Sequence, residues 1–282
     1  MENTAQKTEM KNPTGESNKC PTCGTPYEEI IVSGVTIQMD VCGCRAAELN
    51  REEQEKAERS RRREIEARQT ELNTITNTEF LRGDDGLVTI DTLRRKESNQ
   101  KQIEFIETYI ARITELVNGG RSMGLIGDPG TGKTALMISI HKEIVNAGYA
   151  SALVNVSMLF PKLDHLVKES RSTWTVIDTL SKADALFLDD IFRYEYTRSK
   201  REILYRILEY RYPLKLPVFF ASNKYGKDMA DTRAILIDII GGNEVGEAII
   251  DRLLCTGESA RANEKGELPR VTILTLTGKS WR

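Results

Sequence analysis

One octapeptide carries most of the chemistry that can be inferred from this chain. It runs from Gly127 to Thr134 and fits the pattern G-x-x-x-x-G-K-[ST]. Its members are Gly127, Asp128, Pro129, Gly130, Thr131, Gly132, Lys133 and Thr134. Glycines at these spacings let backbone N–H groups turn inward around phosphate oxygens, while the lysine can reach the β- and γ-phosphates. The hydroxyl after the lysine can ligate Mg²⁺, so the pattern predicts a binding loop for a nucleoside triphosphate such as ATP.

The residues around the octapeptide must form a strand and a helix for this prediction to hold. The apolar run Met123 to Ile126 predicts a strand that enters the loop, and Ala135 to Val145 predicts a helix that leaves it. A glycine-rich turn that fits by accident is the alternative. The strand–loop–helix context favours a phosphate loop, because the helix N-terminus adds partial positive charge.

Two later segments end in polar residues that could complete the site. Ala185 to Ile191 is an apolar strand that contains Asp189 and Asp190. Such a strand beside a phosphate loop predicts that Asp189 holds Mg²⁺ and that Asp190 orients and polarises the attacking water. A buried strand that merely ends in a polar turn is the alternative. Asn223 follows the predicted strand Leu216 to Ala221, and it could contact the γ-phosphate or serve only as a turn residue.

Four of the five cysteines lie in one N-terminal segment as Cys20, Cys23, Cys42 and Cys44. Two thiolate pairs at this spacing predict a tetrahedral Zn²⁺ site in a reducing compartment. The weak alternation from Tyr27 to Val41 predicts a β-hairpin between the pairs, which together make a zinc ribbon. Two disulfides or four unpaired thiols are the alternatives. The fifth, Cys255, is expected to be a small buried hydrophobe.

Composition excludes several classes of protein. The net charge of −2 gives the whole protein no electrostatic attraction to nucleic acid. Binding to DNA or RNA would therefore need a local patch of positive charge. No apolar run approaches the ~18 residues of a membrane span, and the polar first residues predict no signal peptide. We therefore expect a cytoplasmic protein without a membrane partner.

The segment from Arg45 to Leu72 is rich in charges of both signs, and its i,i+4 pairs predict an exposed helix. A nucleic-acid patch at Arg61 to Arg63 is the alternative, although neighbouring acids cancel it. Downstream, apolar residues at helical spacing from Ile103 to Val117 predict an amphipathic helix that ends at Gly119. These patterns predict three parts: a zinc-binding module (1–44), a charged helical linker (45–78) and an ATPase domain (79–282).

Five motifs in order resemble the AAA+ ATPases, and especially the DnaC/DnaI-type helicase loaders with the similar IstB ATPases. The motifs are GDPGTGKT, LFLDD, the helix Leu204 to Tyr212, FFASN and Ile250 to Leu253. The resemblance implies an α/β fold with a doubly wound parallel sheet and no separate lid. It implies that Asn223 is sensor 1, that Arg252 is the arginine finger for a neighbouring subunit, and that Arg282 stands in for sensor 2.

The same resemblance implies a task. Such loaders use ATP to assemble as homo-oligomers on single-stranded DNA, while an N-terminal module grips the hexameric replicative helicase. The stretch Met158 to Thr179 resembles their helical insertion, where Lys162, Lys168 and Arg171 are candidate DNA contacts or ordinary surface residues. The zinc module resembles DnaI-type and phage loaders and departs from IstB. Alternative functions are an IstB-like transposition or regulatory ATPase acting on a DNA-bound complex, and a slow nucleotide switch.

Overall fold

A computed structural model describes the chain at residues 19–20, 22–32, 35–39, 41–76, 88–93, 95, 99–168, 172–193, 195–255 and 270–278. The side chains of 38, 45–46 and 166–168 are not described. The chain divides into two compact units, Met1–Arg63 and Glu64–Arg282. Each unit has its own fold and is described separately below.

The first unit contains the predicted hairpin. Strands β1 (Glu28–Val32) and β2 (Val35–Met39) pair antiparallel, with Ile30 opposite Ile37 and Val32 opposite Val35. An isolated bridge joins Lys19 to Pro26 ahead of the hairpin. Both cysteine pairs flank this hairpin, so the short sheet sets the separation between them.

Helix α1 (Cys44–Ile75) begins in the first unit and ends in the second. The prediction of an exposed helix from Arg45 to Leu72 is correct only for its first part. Near its end, Leu72 and Ile75 are buried at 2% and 9% exposure. The buried apolar residues of this charged segment therefore lie near its end, where the helix packs within the second unit.

The second unit is built on a parallel five-stranded sheet with the order β4-β5-β6-β3-β7. Its strands are β3 (Ser122–Gly127), β4 (Ser151–Asn155), β5 (Ala185–Asp189), β6 (Val218–Ser222) and β7 (Val271–Leu276). The predicted α/β fold with a doubly wound parallel sheet is confirmed. The apolar runs Met123 to Ile126, Ala152 to Val156, Ala185 to Ile191 and Leu216 to Ala221 predict four of these strands. No pattern predicted β7, whose threonines dilute the apolar alternation.

Helices connect the strands and cover both faces of the sheet. They are α2 (Gln100–Ala111), α3 (Ile113–Asn118), α4 (Lys133–Asn146), α5 (Val156–Lys168), α6 (Thr173–Lys182), α7 (Arg198–Arg211), α8 (Met229–Ile240) and α9 (Glu244–Leu254). The amphipathic helix predicted from Ile103 to Val117 is two helices that break at Arg112. The apolar spacing continues across the break, which is why the sequence pattern did not reveal it.

Strand residues alternate between two apolar layers. Leu186 and Leu188 of β5 pack on the side of α5 to α9, whereas Phe187 packs on the side of α2 to α4. Phe187 stacks on Phe219 of the neighbouring strand with ring centroids 4.2 Å apart. Burial on both faces explains why these strands are continuously apolar.

Arg211 is an exception to the apolar core, since its side chain is 1% exposed. Its guanidinium donates to the carbonyls of Leu180, Ser181, Ala183 and Pro217. Burial lowers the pKa of Arg211 to about 9. These bonds join α7, the end of α6 and the start of β6, so this arginine has a structural role.

Within the described ranges, no helix combines the length and the apolar content that a membrane crossing requires.

Candidate nucleotide site and cysteine cluster

The phosphate loop connects β3 to α4 in a conformation that depends on glycine. Gly127 has φ +143, and a Cβ there would lie 1.9 Å from the carbonyl oxygen of Leu276 on β7. Gly132 caps α4 with φ +77, in the left-handed region. A larger side chain at Gly127 would therefore collide with β7, and one at Gly132 would strain the backbone of the loop.

Lys133 occupies the centre of the loop. Its ammonium donates to the carbonyls of Gly127 at 2.9 Å and Asp128 at 2.7 Å. The side chain is only 7% exposed, and burial lowers the pKa of Lys133. A cation held by neutral carbonyls in a buried loop is available to pair with an anionic phosphate.

Thr134 and Asp189 meet between the phosphate loop and β5. The Thr134 hydroxyl donates to the Asp189 carboxylate at 3.1 Å. Burial, followed by the neighbouring charge of Asp190, raises the pKa of Asp189 to about 6. A hydroxyl and a buried carboxylate at this separation are hard oxygen ligands of the kind that Mg²⁺ takes beside nucleotide phosphates.

Asp190 is the next residue, and its hydrogen-bond partners differ from those of Asp189. It has φ +53, a left-handed conformation that is uncommon for a residue other than glycine. Its carboxylate accepts from Arg193 at 3.2 Å and from the Asn223 amide at 3.4 Å. The structure thus brings Asp190 and Asn223 together at the carboxyl ends of β5 and β6.

Two residues at this site were not identified from the sequence. Tyr225 donates its hydroxyl hydrogen bond to the Asp128 carboxylate at 2.7 Å. Arg193 is the arginine paired with Asp190. Neither residue belongs to a sequence motif with fixed spacing. Each lies near the phosphate loop only because the carboxyl ends of the strands are close together in the sheet.

Arg252 is not close to the phosphate loop of its own chain. It lies in the last turn of α9, beside a shallow recess that also contains Ser122, Val218 and Arg270. Ser122 and Val218 are the first residues of β3 and β6, whereas the phosphate loop follows the last residue of β3. The length of a six-residue strand, roughly 20 Å, separates the two ends.

The four N-terminal cysteines form a cluster in the first unit. The Sγ atoms of Cys20, Cys23, Cys42 and Cys44 all lie within 4.8 Å of one another. The Thr25 hydroxyl lies 3.1 Å from the Cys23 sulfur, and hydrogen bonding to Thr25 lowers the pKa of Cys23 to about 6. Four convergent sulfurs, one of them readily ionised, suit a tetrahedral Zn²⁺ with its Zn–S distance of about 2.3 Å.

Of the candidate DNA contacts, Lys162 has protein partners. Its ammonium donates to the carbonyls of Thr74 and Ile75 at 2.9 and 2.8 Å, at the carboxyl end of α1. This geometry favours a structural role, because a cation at a helix C-terminus satisfies otherwise unpaired carbonyls. The side chain of Lys168, together with Arg171 and Arg282, lies outside the described residues.

One family model matches most of the chain. Residues 48–267 match the family described as IstB-like ATP binding protein. A Pseudomonas aeruginosa protein named as an ATP-binding protein of insertion sequence IS21 is 31% identical over 147 residues, which cover 52% of this chain and 51% of that protein. The replicative helicase loader DnaI of Bacillus subtilis is 32% identical over 108 residues, which cover 37% of this chain and 33% of DnaI. The matches thus span about half or less of these relatives.

Solved structures share the fold. A DnaI crystal structure aligns with a TM-score of 0.51 at 23% identity, covering 73% of this chain and 94% of that one. A crystal structure of the DnaC helicase loader aligns with a TM-score of 0.50 at 19% identity, covering 68% and 97%. The parallel sheet, the phosphate loop and the family match together show that this chain belongs to the IstB-like ATP-binding family and has an AAA+ ATPase fold.

Proposed function

We propose that the chain is a Mg²⁺-dependent ATPase that loads a replicative helicase onto single-stranded DNA. The observation that carries the ATPase part is the convergence of Lys133, Thr134, Asp189 and Asp190 at one edge of the sheet. Family membership supports ATP binding in general. The loader part rests on the DnaI relative and on the cysteine cluster that precedes the ATPase unit.

Each residue of the site has a proposed role. Lys133 exchanges its carbonyl partners for the β- and γ-phosphates, and the N–H groups of residues 127–134 surround the phosphate oxygens. Thr134 and Asp189 would hold Mg²⁺, which supplies charge neutralisation for phosphoryl transfer. Asp190 accepts a proton from the attacking water, while Asn223 orients that water or the γ-phosphate.

Assembly is part of the proposal because of Arg252. A residue at the amino ends of the strands cannot reach a phosphate at their carboxyl ends in the same chain. We therefore assign Arg252 as an arginine finger that acts on the nucleotide of a neighbouring copy, in an ATP-dependent homo-oligomer. Such fingers stabilise charge in the transition state.

The cysteine cluster is proposed to hold one Zn²⁺ and to form the surface that contacts the hexameric helicase. Thiolate ligation requires reduced cysteines, which suits a cytoplasmic location. The charged helix α1 would then connect the helicase-binding module to the ATPase unit, with the boundary of the two units near Arg63.

A second candidate function is supported by a separate observation. The family match and the Pseudomonas aeruginosa relative both point to ATP-binding proteins of insertion sequences. In that case the chain would act on a DNA-bound transposition complex, and its zinc module would contact nucleic acid instead of helicase.

The deciding experiment uses the full chain with a bacterial hexameric replicative helicase and, separately, with duplex and single-stranded DNA. A loader should co-elute with the helicase and stimulate unwinding of a DNA fork coated with single-strand-binding protein. Cys23→Ser should remove the helicase contact and leave ATP binding in place. Binding to duplex DNA that depends on Cys23, without any helicase complex, would support the transposition function instead.

A further inference from the structure

Asp128, the second residue of the phosphate loop, is held by two segments that are distant in sequence. Its carboxylate accepts from the Tyr225 hydroxyl at 2.7 Å and from the Gly278 backbone N–H at 3.1 Å. Its own N–H donates to the Leu276 carbonyl at 3.0 Å. The Tyr225 bond and then the Gly278 bond lower the pKa of Asp128, so the carboxylate is ionised at neutral pH.

The backbone of the same residue contacts the catalytic part of the loop. The Asp128 carbonyl accepts from Lys133 Nζ at 2.7 Å and from the Thr131 hydroxyl at 2.7 Å. A shift of Asp128 would therefore move one of the two carbonyls that hold the lysine, the other being that of Gly127. The side chain of Asp128 thus holds the loop in place, and its backbone helps to orient the ammonium.

Tyr225 belongs to the turn that also carries Asn223. This turn is closed by hydrogen bonds between the Ser222 hydroxyl and the backbone of Lys224, both 2.9 Å long. Asn223 contacts Asp190 at one end of the turn, and Tyr225 contacts Asp128 at the other. A single turn after β6 thus joins the phosphate loop to the end of β5.

We propose that Tyr225 is a positioning residue for ATP binding that acts through Asp128. A carboxylate in a phosphate loop would repel a triphosphate if it turned toward it. The Tyr225 hydroxyl holds this charge on the side of β6 and β7 and stabilises it by a charge-assisted hydrogen bond. This inference rests on the proposed ATP site and adds a residue outside the G-x-x-x-x-G-K-[ST] pattern.

The first test is Tyr225→Phe, measured by equilibrium titration with a fluorescent ATP analogue and by steady-state hydrolysis. Loss of one hydrogen bond to a partly exposed carboxylate should weaken ATP binding roughly 3- to 10-fold. The kcat at saturating ATP should stay within about twofold, because the loop regains its shape once phosphates are bound. If Tyr225 had a purely structural role, Tyr225→Phe would instead lower the Tm and leave the ATP affinity of the folded protein unchanged.

Tyr149→Phe is the matched control. Tyr149 donates to the Asn118 side chain at 2.9 Å, and it lies just before the first residue of β4, away from the phosphate loop. This variant should bind ATP as the wild type does. An equal loss of affinity in both tyrosine variants would overturn the proposal.

A double-variant cycle with Asp128→Ala completes the test. Once the carboxylate is gone, Tyr225→Phe should cause no further loss of ATP affinity, because the hydroxyl has no acceptor there. The same loss in both backgrounds, or no loss in either, would overturn the inference. Absence of ATP binding by the wild-type chain would instead contradict the proposed function, so the two failures are distinguishable.

Discussion

The Glu209 carboxylate forms an ion pair with the Arg252 guanidinium, which connects α7 to α9. Arg252 also donates to the Ala248 carbonyl at 2.9 Å and lies 5.0 Å from the Tyr205 ring centroid. Its Nε is buried without a hydrogen-bond partner in the part of the chain that the structure describes. The candidate finger is thus folded against its own subunit, and to act on a neighbour it must exchange Glu209 for a phosphate.

The first prediction concerns this exchange. Arg252→Ala should bind ATP as the wild type does and lose the stimulation of hydrolysis by assembly or single-stranded DNA. A finger supplied in trans contributes roughly 10³- to 10⁵-fold in rate, which sets the upper limit of the loss. Arg206→Ala, which removes an exposed arginine paired with Glu202 on α7, should retain the stimulation.

Mixing Arg252→Ala with Lys133→Ala chains tests the geometry directly. A composite site would combine an intact phosphate loop from one chain with an intact finger from the other, so some activity should return. If the mixture co-assembles and stays as inactive as either variant, Arg252 does not act across an interface.

The second prediction separates binding from hydrolysis. Lys133→Ala removes the buried cation of the loop and should abolish ATP binding in an equilibrium titration. Asp190→Asn keeps Asp189 and Thr134, so it should bind ATP and hydrolyse it slower by orders of magnitude. Normal turnover in Asp190→Asn would remove this carboxylate from the mechanism.

The third prediction concerns acid stability. Burial lowers the pKa of His141 to about 4, and its Nδ1 lies 2.9 Å from the Ser151 hydroxyl. The unfolded chain binds this proton at higher pH than the folded chain does. Stability from the neutral ring is therefore complete above the unfolded pKa of about 6.5 and is lost as the pH falls toward 4.

The measurement is the urea unfolding free energy of the wild type and His141→Gln at about pH 7.5 and about pH 5. Between these two pH values, the free energy of unfolding of the wild type should fall by about 2 kcal/mol more than that of His141→Gln, because only the wild type has this histidine to protonate. His165→Gln, which removes an exposed histidine of α5, is the control. Identical pH dependence in wild type and His141→Gln would contradict the assignment.

The fourth prediction concerns the cysteine cluster. Elemental analysis should find one Zn²⁺ per chain, and Cys20→Ser or Cys42→Ser should lose it. Chelation should unfold the hairpin of the first unit, because so small a unit has too little core to stay folded without metal. ATP binding should survive, since the phosphate loop belongs to the second unit. Four freely reactive thiols in the folded, metal-free protein would contradict the zinc site.

The fifth prediction separates the two parts of α1. Leu72→Ala removes a side chain that is 2% exposed and should destabilise the ATPase unit by about 2–4 kcal/mol. Leu49→Ala, at 52% exposure on the same helix, should change the free energy of unfolding by less than about 0.5 kcal/mol. Circular dichroism in urea measures both, and equal effects would contradict the packing of the end of α1.

Hydrogen bonds made by the end of α1 connect residues before 79 to the sheet of the second unit. The Gln69 amide bonds both the N–H and the carbonyl of Ser151, at 2.8 and 2.9 Å, on the edge strand β4. Arg68 pairs with Asp184 at 2.9 Å. In the sequence, Arg68 and Gln69 look like the other polar residues of the charged helix. Their contacts could not be predicted, because a polar residue that packs against a polar partner adds nothing to the apolar periodicity of a helix.

The phosphate loop, the apolar strand before Asp189 and the cysteine pairs could all be identified from the amino-acid sequence. These features depend on residue type at short, fixed spacings, and local backbone geometry is enough to interpret them. The parallel sheet also followed from sequence, because strands buried on both faces must be continuously apolar.

The contacts between residues that are distant in the chain became visible only in the folded protein. The order β4-β5-β6-β3-β7 brings Asn223 to Asp190 and Tyr225 to Asp128 at the carboxyl ends of the strands. Helix α9 places Arg252 beside the first residues of β3 and β6, at the amino ends. The fold also assigns Lys162 to the end of α1. Such contacts depend on strand order and helix packing. Both result from many weak interactions spread along the chain, so no sequence motif with fixed spacing predicts them.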